Sequence, residues 1–349
     1  MKPNVANTVD DTMHNIAPNA QESDFVAPPG IPRIKLILGG LVVALLAIAP
    51  FIVSQYYMTL LIPFFAYAVI LLGFNLLFGY GGLLSFGHAL FVAIGAYAAA
   101  ALASKTGMVS FELMLLTAIV ASTVISLPIA WLASRFTGIF FGMLTLSFGM
   151  LFHSFLNKFY YITGGESGMR VPRPTLFGME LDQFDKTAFL AGLFYYYCLL
   201  MILLLAFVMW RIVRSPYGIH LMASRDNPVK ALYLGVKVRN VRAIAFVISA
   251  VYAAIGGVIL GINTGLADPE LAYWTHSGHL VFMAVLGGYQ EFLGPVLGAF
   301  VFILLQDELS SLTQYWRFFL GAILAIMVIA LPGGIMGAIR KIKGKGEQS

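Results

Sequence analysis

Histidines are the side chains most able to do chemistry in the apolar parts of this sequence. His276 and His279 form an H-x-x-H pair, a spacing that could ligate a metal from one helical face. No acid or cysteine close in sequence supplies a third ligand, so we predict a hydrogen-bonded pair near the outer rim and no metal site. His88 lies in a glycine-rich stretch and could face either a substrate or a neighbouring helix, whereas His153 is expected to pack or to lie at the membrane interface.

Catalytic patterns are missing from the sequence. It contains no Ser-His-Asp, paired-carboxylate or H-E-x-x-H arrangement, and it has no G-x-x-x-x-G-K-[ST] phosphate loop. The interiors of the long apolar runs contain no Asp, Glu, Lys or Arg, and the nearest charges, such as Glu112 and Arg317, fall at their ends, although charges inside a bilayer are what ion and proton relays use. We therefore predict no catalytic residue, no bound cofactor, and a driving force supplied from outside the membrane part.

Residues 211–242 form a basic segment between two apolar runs. The only acid in it is Asp226. Its seven cations are Arg211, Arg214, Arg225, Lys230, Lys237, Arg239 and Arg242. Positive loops are retained on the cytoplasmic side of a membrane, which places this segment inside.

Local signals predict one short helix within the basic segment. Asp226 and Asn227 can cap a helix, and Pro228 suits its first turn. The helix should run from Pro228 to about Leu234, with Gly235 as the residue that ends it. Further upstream, Pro216-Tyr217-Gly218 has the composition of a turn.

The composition requires a membrane protein. Over 349 residues the mean hydropathy is +0.87 and only 11% of residues are charged, whereas soluble domains carry about 25%. Cys198 is the only cysteine, which excludes a disulfide and a Cys-based metal site. The fold class predicted is an all-α polytopic membrane protein.

Marking off apolar runs of about 20 residues gives about ten transmembrane helices. The eighth and ninth are short and are expected to be broken or re-entrant, so the number lies between nine and eleven. The predicted spans are 36–54, 56–78, 83–104, 112–134, 138–157, 188–210, 243–263, 274–289, 292–306 and 317–338.

These spans divide the chain into a permease domain, 33–339, and two tails. Residues 1–32 are predicted to be a disordered cytoplasmic tail, and 340–349 a basic cytoplasmic tail. Residues 160–187 form the longest external loop. With both termini inside, fifteen cations fall on inner segments and six on outer ones, as the positive-inside rule requires.

A weak internal repeat places a glycine pair before a small-residue-rich helix in each half of the sequence. Interrupted helices of this kind can line a transport pathway, because unwound backbone survives at membrane depth only beside a cavity or inside protein. The alternative is that the glycines only let helices pack closely. The candidate pathway residues are Gly82, Ser85, Gly87, His88, Gly287 and Gly288.

Five motifs in order resemble the permease subunits of branched-chain amino acid type ABC importers. They are GYGGLLSFGHA, TGGESG, SPYGIHLMASRDNPVKALYLG, LGGYQEFLGPVLGA and PGGIMG, and they cover roughly residues 65–338. In that family the third motif carries a coupling helix that sits in a groove of the ATPase. The resemblance implies this role for Arg225, Asp226, Asn227, Ala231, Leu234 and Gly235. His220 and Ser224 depart from the family pattern.

The resemblance also implies partners and cargo. A complex would contain two ATPase subunits, which bind the ATP, a second homologous permease and an extracytoplasmic binding protein, in a bacterial inner membrane. The expected cargo is branched-chain or other hydrophobic amino acids. Urea, short amides and aromatic or organic acids are alternatives, and an ion-coupled secondary carrier is the alternative from another class. No nucleic-acid partner is expected.

Overall fold

A computed structural model describes residues 33–176, 189–190, 192–331, 333–338 and 340. The chain divides into residues 1–48, which include most of the first helix, and residues 49–349. The helices are α1 (Arg33–Ile52), α2 (Gln55–Asn75), α3 (Ala89–Thr106), α4 (Phe111–Ala133), α5 (Gly138–Lys158), α6 (Tyr160–Thr163), α7 (Leu193–Val213), α8 (Pro216–Asp226), α9 (Pro228–Tyr233), α10 (Val238–Thr264), α11 (Trp274–Gly287), α12 (Gly294–Leu312) and α13 (Trp316–Ala330).

The all-α polytopic architecture is confirmed. Within the described residues, eight helices are long and apolar enough to cross a membrane, and they match the predicted spans two to seven, nine and ten. The first predicted span coincides with α1 and the eighth with α11, which has only 14 residues, as expected for a short helix. The predicted tails, 1–32 and most of 340–349, lie outside the described residues.

Two predicted spans have wrong boundaries. The third was expected to begin at residue 83, but residues 83–88 are unwound and α3 begins at Ala89. The ninth was expected to be short, yet α12 has 19 residues and continues to Leu312. It therefore includes Asp307, whose carboxylate accepts a hydrogen bond from the Tyr56 hydroxyl at 2.8 Å. A polar partner near the helix end lets the helix continue past an acid that sequence reasoning treated as a boundary.

Helices α2, α3 and α10 form the centre of the second unit. The apolar windows of their spans are 78%, 61% and 72% buried, whereas those of the other spans are 33% buried or less. Small residues bring the three backbones together. A Cβ atom at Gly95 of α3 would overlap the carbonyl oxygen of Ala254 in α10, and one at Gly257 would overlap that of Val92. Close backbone approach through glycine is the usual way in which membrane helices associate.

The predicted external loop is partly built into the fold. Its short strand β1 (Met169–Arg170) pairs antiparallel with β2 (Leu266–Ala267), just after α10. At Gly168, with φ +67°, a Cβ atom would overlap the Ala267 carbonyl oxygen, so this glycine permits the approach. The TGGESG motif thus holds the loop against the end of α10. Residues 177–187 of the loop lie outside the described residues.

Candidate coupling and translocation site

The basic segment folds into two consecutive helices, α8 and α9. The predicted short helix is confirmed: α9 begins at Pro228, and the Asn227 side chain accepts a hydrogen bond from the Lys230 amide at 2.9 Å. Gly235 follows with φ +82°, a conformation that favours glycine at a helix end. The sequence signals at both ends of α9 therefore act as predicted.

The turn predicted at Pro216-Tyr217-Gly218 is wrong, because these residues form the first turn of α8. Proline at the first helical position costs no hydrogen bond, so the same residue type can start a helix. Gly218 lies so close to the Val213 carbonyl that a Cβ atom would overlap it. Tyr217 donates a hydrogen bond to the Val241 carbonyl at 2.9 Å, which ties α8 to α10. Burial raises the pKa of Tyr217, so its hydroxyl remains a donor at cellular pH.

The α9 helix exposes an apolar face although it lies in a polar segment. Only Ala231 of the helix is buried, at 3% exposure, and it faces the rest of the chain. Val229, Leu232, Tyr233 and Leu234 are 59%, 63%, 85% and 82% exposed. Three large apolar side chains on one short exposed helix, with a fourth at the residue that caps it, are typical of a protein contact surface.

Arg225 connects this segment to the membrane core. Its guanidinium donates to the carbonyl oxygen of Gly79 at 2.7 Å and to the carboxylate of Asp226 at 2.8 Å. The ion pair is largely exposed, so it is worth only about 0–1 kcal/mol. Gly82, with φ +66°, lies against the Arg225 side chain, where a Cβ atom would come within 2.6 Å of Cγ. The contact with Gly79 is therefore the structural link.

Gly79 belongs to a π-helical turn, Leu76–Tyr80, at the end of α2. On its other side this turn contacts the second glycine motif. The Asn75 side chain donates to the Glu291 carbonyl at 3.1 Å, and the rings of Phe78 and Tyr289 lie 4.5 Å apart. We call Asn75, Gly79, Arg225, Tyr289 and Glu291 the π-turn junction.

The first break in the helices comprises residues 81–88. Its backbone bonds to side chains of other helices: the Phe86 amide donates to the Thr145 hydroxyl at 3.3 Å, and the Ala89 amide to the Ser277 hydroxyl at 2.9 Å. Gly87 packs on the backbone of Thr145, leaving no space for a Cβ atom. This stretch is therefore held on several sides by protein.

The polar side chains of the first break are fully buried. Ser85 and His88 are both 0% exposed. His88 Nε2 lies 3.0 Å from the Ser249 hydroxyl oxygen, and the imidazole ring packs against Phe74 and Phe91. The Ser85 hydroxyl has no hydrogen-bond partner in the part of the chain that the structure describes. Among the pathway candidates of this break, only Gly82 is exposed.

The second break comprises residues 288–293. Gly287 ends α11 and is so close to Gly294, the first residue of α12, that a Cβ atom would overlap the Gly294 carbonyl oxygen. Gly288 has φ +102° and lies on the Gly333 carbonyl. Both glycines are buried in the single chain. Their position is that of helix packing, and a role in the pathway stays a prediction.

The prediction that His276 and His279 form a hydrogen-bonded pair is wrong. The His276 and His279 rings are 6.4 Å apart edge to face, and they pack instead against Tyr67 and Phe302. Over the described residues, no group of three or more His, Cys, Asp or Glu side chains could hold a metal ion.

A sequence model of the family described as "Branched-chain amino acid transport system / permease component" matches residues 56–331. The chain belongs to this permease family. The match covers α2 through α13, and thus the basic segment and both breaks. This permease is accordingly a multi-pass protein of a bacterial inner membrane and the transport subunit, not the catalytic one, of an ABC importer.

Relatives show how far the similarity extends. The permease is 29% identical to the high-affinity branched-chain amino acid transport system permease protein LivM of Escherichia coli K12, over 90% of this chain and 79% of the relative. LivH of the same strain is 26% identical over 78% of this chain and 91% of the relative. The autoinducer 2 import system permease protein LsrC of Photorhabdus laumondii is 28% identical over 41% of this chain and 45% of the relative. No solved structure gives a significant match.

Sequence reasoning missed several residues that organise the site of this permease. Asn75 and Tyr289 join the π-helical turn to the second break, and Thr145 and Ser277 accept the amides of the first. A signal was present for Asn75, which is the only amide in the span 56–78. Polar side chains in membrane helices often bond between helices, so a lone amide merits attention.

Proposed function

We propose that this permease carries branched-chain or other hydrophobic amino acids inward, driven by ATP hydrolysis on two separate ATPase subunits that contact α9. A second homologous permease and an extracytoplasmic binding protein complete the complex. The termini and residues 211–242 lie in the cytoplasm, as the excess of inner cations favours. The chain itself binds no cofactor.

The apolar face of α9 is the observation that carries this proposal. Leu232, Tyr233 and Leu234 are mostly exposed in a segment that is otherwise basic, so they fit a groove on a soluble partner. Asn227 and Gly235 fix the two ends of the helix, and buried Ala231 anchors it. Asp226 orients Arg225 next to it.

The π-turn junction supplies a route from α9 into the membrane. When the ATPases close on ATP, α8 and α9 move together, and Arg225 transmits the movement to Gly79 and the π-helical turn. The turn contacts the second break directly and continues into the first through Gly81 and Gly82. A switch between inward-facing and outward-facing states would thus act on both candidate pathway segments, Gly82 to His88 and Gly287 to Gly288.

The relatives favour the proposed cargo. LivM and LivH are named for branched-chain amino acid transport and align with most of this chain, whereas LsrC is named for autoinducer 2 and aligns with 41% of it. An apolar interior suits such cargo, because weak binding along the pathway lets the amino acid leave. Urea, short amides and aromatic or organic acids are the other cargoes to assay.

The test separates coupling from folding. The change Leu234→Asp puts a charge into the apolar face of α9, and we expect at least tenfold slower ATP-driven leucine uptake into proteoliposomes with the chain still inserted. Ile219→Asp, an equal change at a 58% exposed position on α8, is the matched control and should transport normally. Normal uptake by Leu234→Asp and by Gly235→Val would contradict the coupling role. Uptake that survives ATP depletion but stops without an ion gradient would favour a secondary carrier.

A further inference from the structure

A basic cleft opens next to the coupling segment, between the end of α4 and the start of α10. Its volume is about 460 Å³. Four cations line it, Arg135, Lys237, Arg239 and Arg242, and none of the described residues lining it is acidic. Within the described residues none of the four forms an ion pair, although Arg239 and Arg242 each donate a hydrogen bond to a backbone carbonyl, and four such charges around one cleft attract an anion strongly.

Arg242 gives the cleft a buried cation whose guanidinium is only partly hydrogen-bonded within the described residues. The residue is only 8% exposed, and one terminal nitrogen donates to the Ser224 carbonyl at 2.9 Å. Its Nε is buried and has no partner in the described part of the chain. A buried guanidinium without an acid beside it is costly, so an anion bound in the cleft, which Arg242 lines, would offset its charge.

The N-terminus of α10 adds to the positive electrostatic potential of the cleft. Helix α10 has 27 residues and begins at Val238, which lines the cleft, and its N-cap residue Lys237 makes no side-chain capping bond. The first turn of a helix presents free N–H groups and the positive end of the helix dipole. Backbone and side chains therefore favour the same kind of ligand, an anion with several oxygens.

Trp131 indicates the depth of the cleft relative to the membrane surface. The Arg135 and Arg239 guanidinium groups lie 4.1 Å and 4.9 Å from the centre of its ring, and its side of α4 also exposes Val124 and Leu127. Tryptophan is enriched at the level of the lipid headgroups, with apolar side chains toward the acyl chains. The cleft thus opens where headgroups lie.

We propose that this cleft binds the phosphate headgroup of an anionic phospholipid of the cytoplasmic leaflet. Basic pockets between membrane helices on the cytoplasmic side are suited to such headgroups. A free phosphate ion has the same chemistry, but the adjacent apolar face of α4 also accommodates acyl chains. Leu232 of α9 lines the cleft as well, so a bound lipid steadies the coupling helix; this consequence rests on the proposed function.

The experiment measures lipid binding without transport. The permease, purified with its co-purifying subunits, is exchanged into nanodiscs of phosphatidylcholine with increasing phosphatidylglycerol, and bound lipid is counted by native mass spectrometry. We expect selective retention of phosphatidylglycerol. The double change Lys237→Gln with Arg239→Gln should weaken it roughly 25-fold, or about fivefold for each cation. Both side chains are exposed, so folding should persist.

The matched control removes two cations from the end of the basic segment that does not line the cleft. Arg211 and Arg214 are exposed, and Arg214 lies over Trp210 at 4.7 Å, much as Arg135 lies over Trp131. Changing both to Gln should alter phosphatidylglycerol retention by less than about twofold, because a distant surface charge is screened.

Three outcomes would overturn the proposal. The first is equal retention of phosphatidylcholine and phosphatidylglycerol by the unaltered chain. The second is displacement of the lipid by millimolar inorganic phosphate, which would assign the cleft to the free ion. The third is loss of the ATPase subunit with unchanged lipid retention in the cleft variant, which would assign the cations to a protein contact. Failure of leucine transport alone changes none of these readings.

Discussion

The two glycine-rich breaks resemble each other in sequence but are held by different means. Residues 81–88 are fixed by groups far away in the chain, namely the hydroxyls of Thr145 and Ser277 and the backbone of α5. Residues 288–293 carry backbone bonds within the turn, from the Glu291 amide to the Gly288 carbonyl and from the Gly294 amide to that of Glu291, and the Asn75 side chain adds a bond from α2. Similar sequence motifs can therefore be held mainly by distant groups in one break and largely by the backbone of the turn in the other.

The two breaks should differ in how well they tolerate a substitution. At the first break, an atom added at Gly87 meets α5, a helix that is distant in the chain. At the second, an atom added at Gly287 meets Gly294 and Gly298 at the start of α12, which follows α11 through a short turn that can adjust. Substitutions at the first break should therefore be the more destabilising, although both breaks contain glycines that lack room for a Cβ atom.

The largest effect is expected for Gly87→Ala compared with Gly287→Ala. The added methyl at Gly87 overlaps the Thr145 carbonyl of α5, and we expect a loss of about 3 kcal/mol or more. The methyl at Gly287 overlaps Gly294 and approaches the Gly298 amide at the start of α12, and we expect a smaller loss because the short turn lets α12 shift relative to α11. Thermal unfolding of the purified complex measures both. A greater loss at Gly287 than at Gly87 would reverse the assignment of long-range and local breaks.

The next effect comes from the hydroxyls that accept the amides of the first break. Ser277→Ala leaves the buried Ala89 amide without its 2.9 Å partner, and we expect destabilisation by about 1–3 kcal/mol. Thr145→Val does the same to the Phe86 amide while keeping the volume of the side chain. Denaturant unfolding of the two variants gives the loss. Stability equal to that of the unaltered chain would show that these bonds do not hold the break.

Local signals made α9 predictable. Asn227, Pro228 and Gly235 specify the two ends of α9 through the backbone of a few neighbouring residues, and the structure follows them. The same kind of signal failed at Pro216, since proline suits both a turn and the first residue of a helix. Which of the two forms depends on packing of Gly218 and Tyr217 against residues outside the local window.

Long-range contacts could not be predicted from the sequence. Arg225 and Gly79 are 146 residues apart, and Tyr56 and Asp307 are 251 apart, so no local pattern joins either pair. The spans themselves were predictable because each depends only on the length of an apolar run. The site, in contrast, depends on which runs lie side by side.

A smaller effect is expected at Asn75, which gives the second break its bond to α2. Asn75→Leu keeps the volume and removes the hydrogen bond to the Glu291 carbonyl; bonds between membrane helices average about 0.6 kcal/mol. The Asn75 Oδ1 atom is buried without a partner within the described residues, so its removal offsets part of this loss. We expect the free energy of unfolding to fall by at most about 1 kcal/mol. Leucine uptake per ATP hydrolysed should nevertheless fall clearly, because Asn75 lies on the proposed route of transmission. Unchanged uptake per ATP would separate Asn75 from transmission.

The smallest effect is expected for Gly278→Ala, nine residues before Gly287 in α11. A Cβ atom at Gly278 has nothing within 4 Å, so the methyl meets no obstacle in this chain. In water, replacing glycine by alanine within a helix stabilises the folded state by about 0.5–1 kcal/mol, because alanine lowers the conformational entropy of the unfolded chain. A membrane helix keeps its backbone hydrogen bonds without its neighbours, so the gain should shrink to within about 0.5 kcal/mol. If Gly278→Ala unfolds as readily as Gly287→Ala, close packing at Gly287 is not what distinguishes the two positions, and loss of any glycine from α11 would explain both.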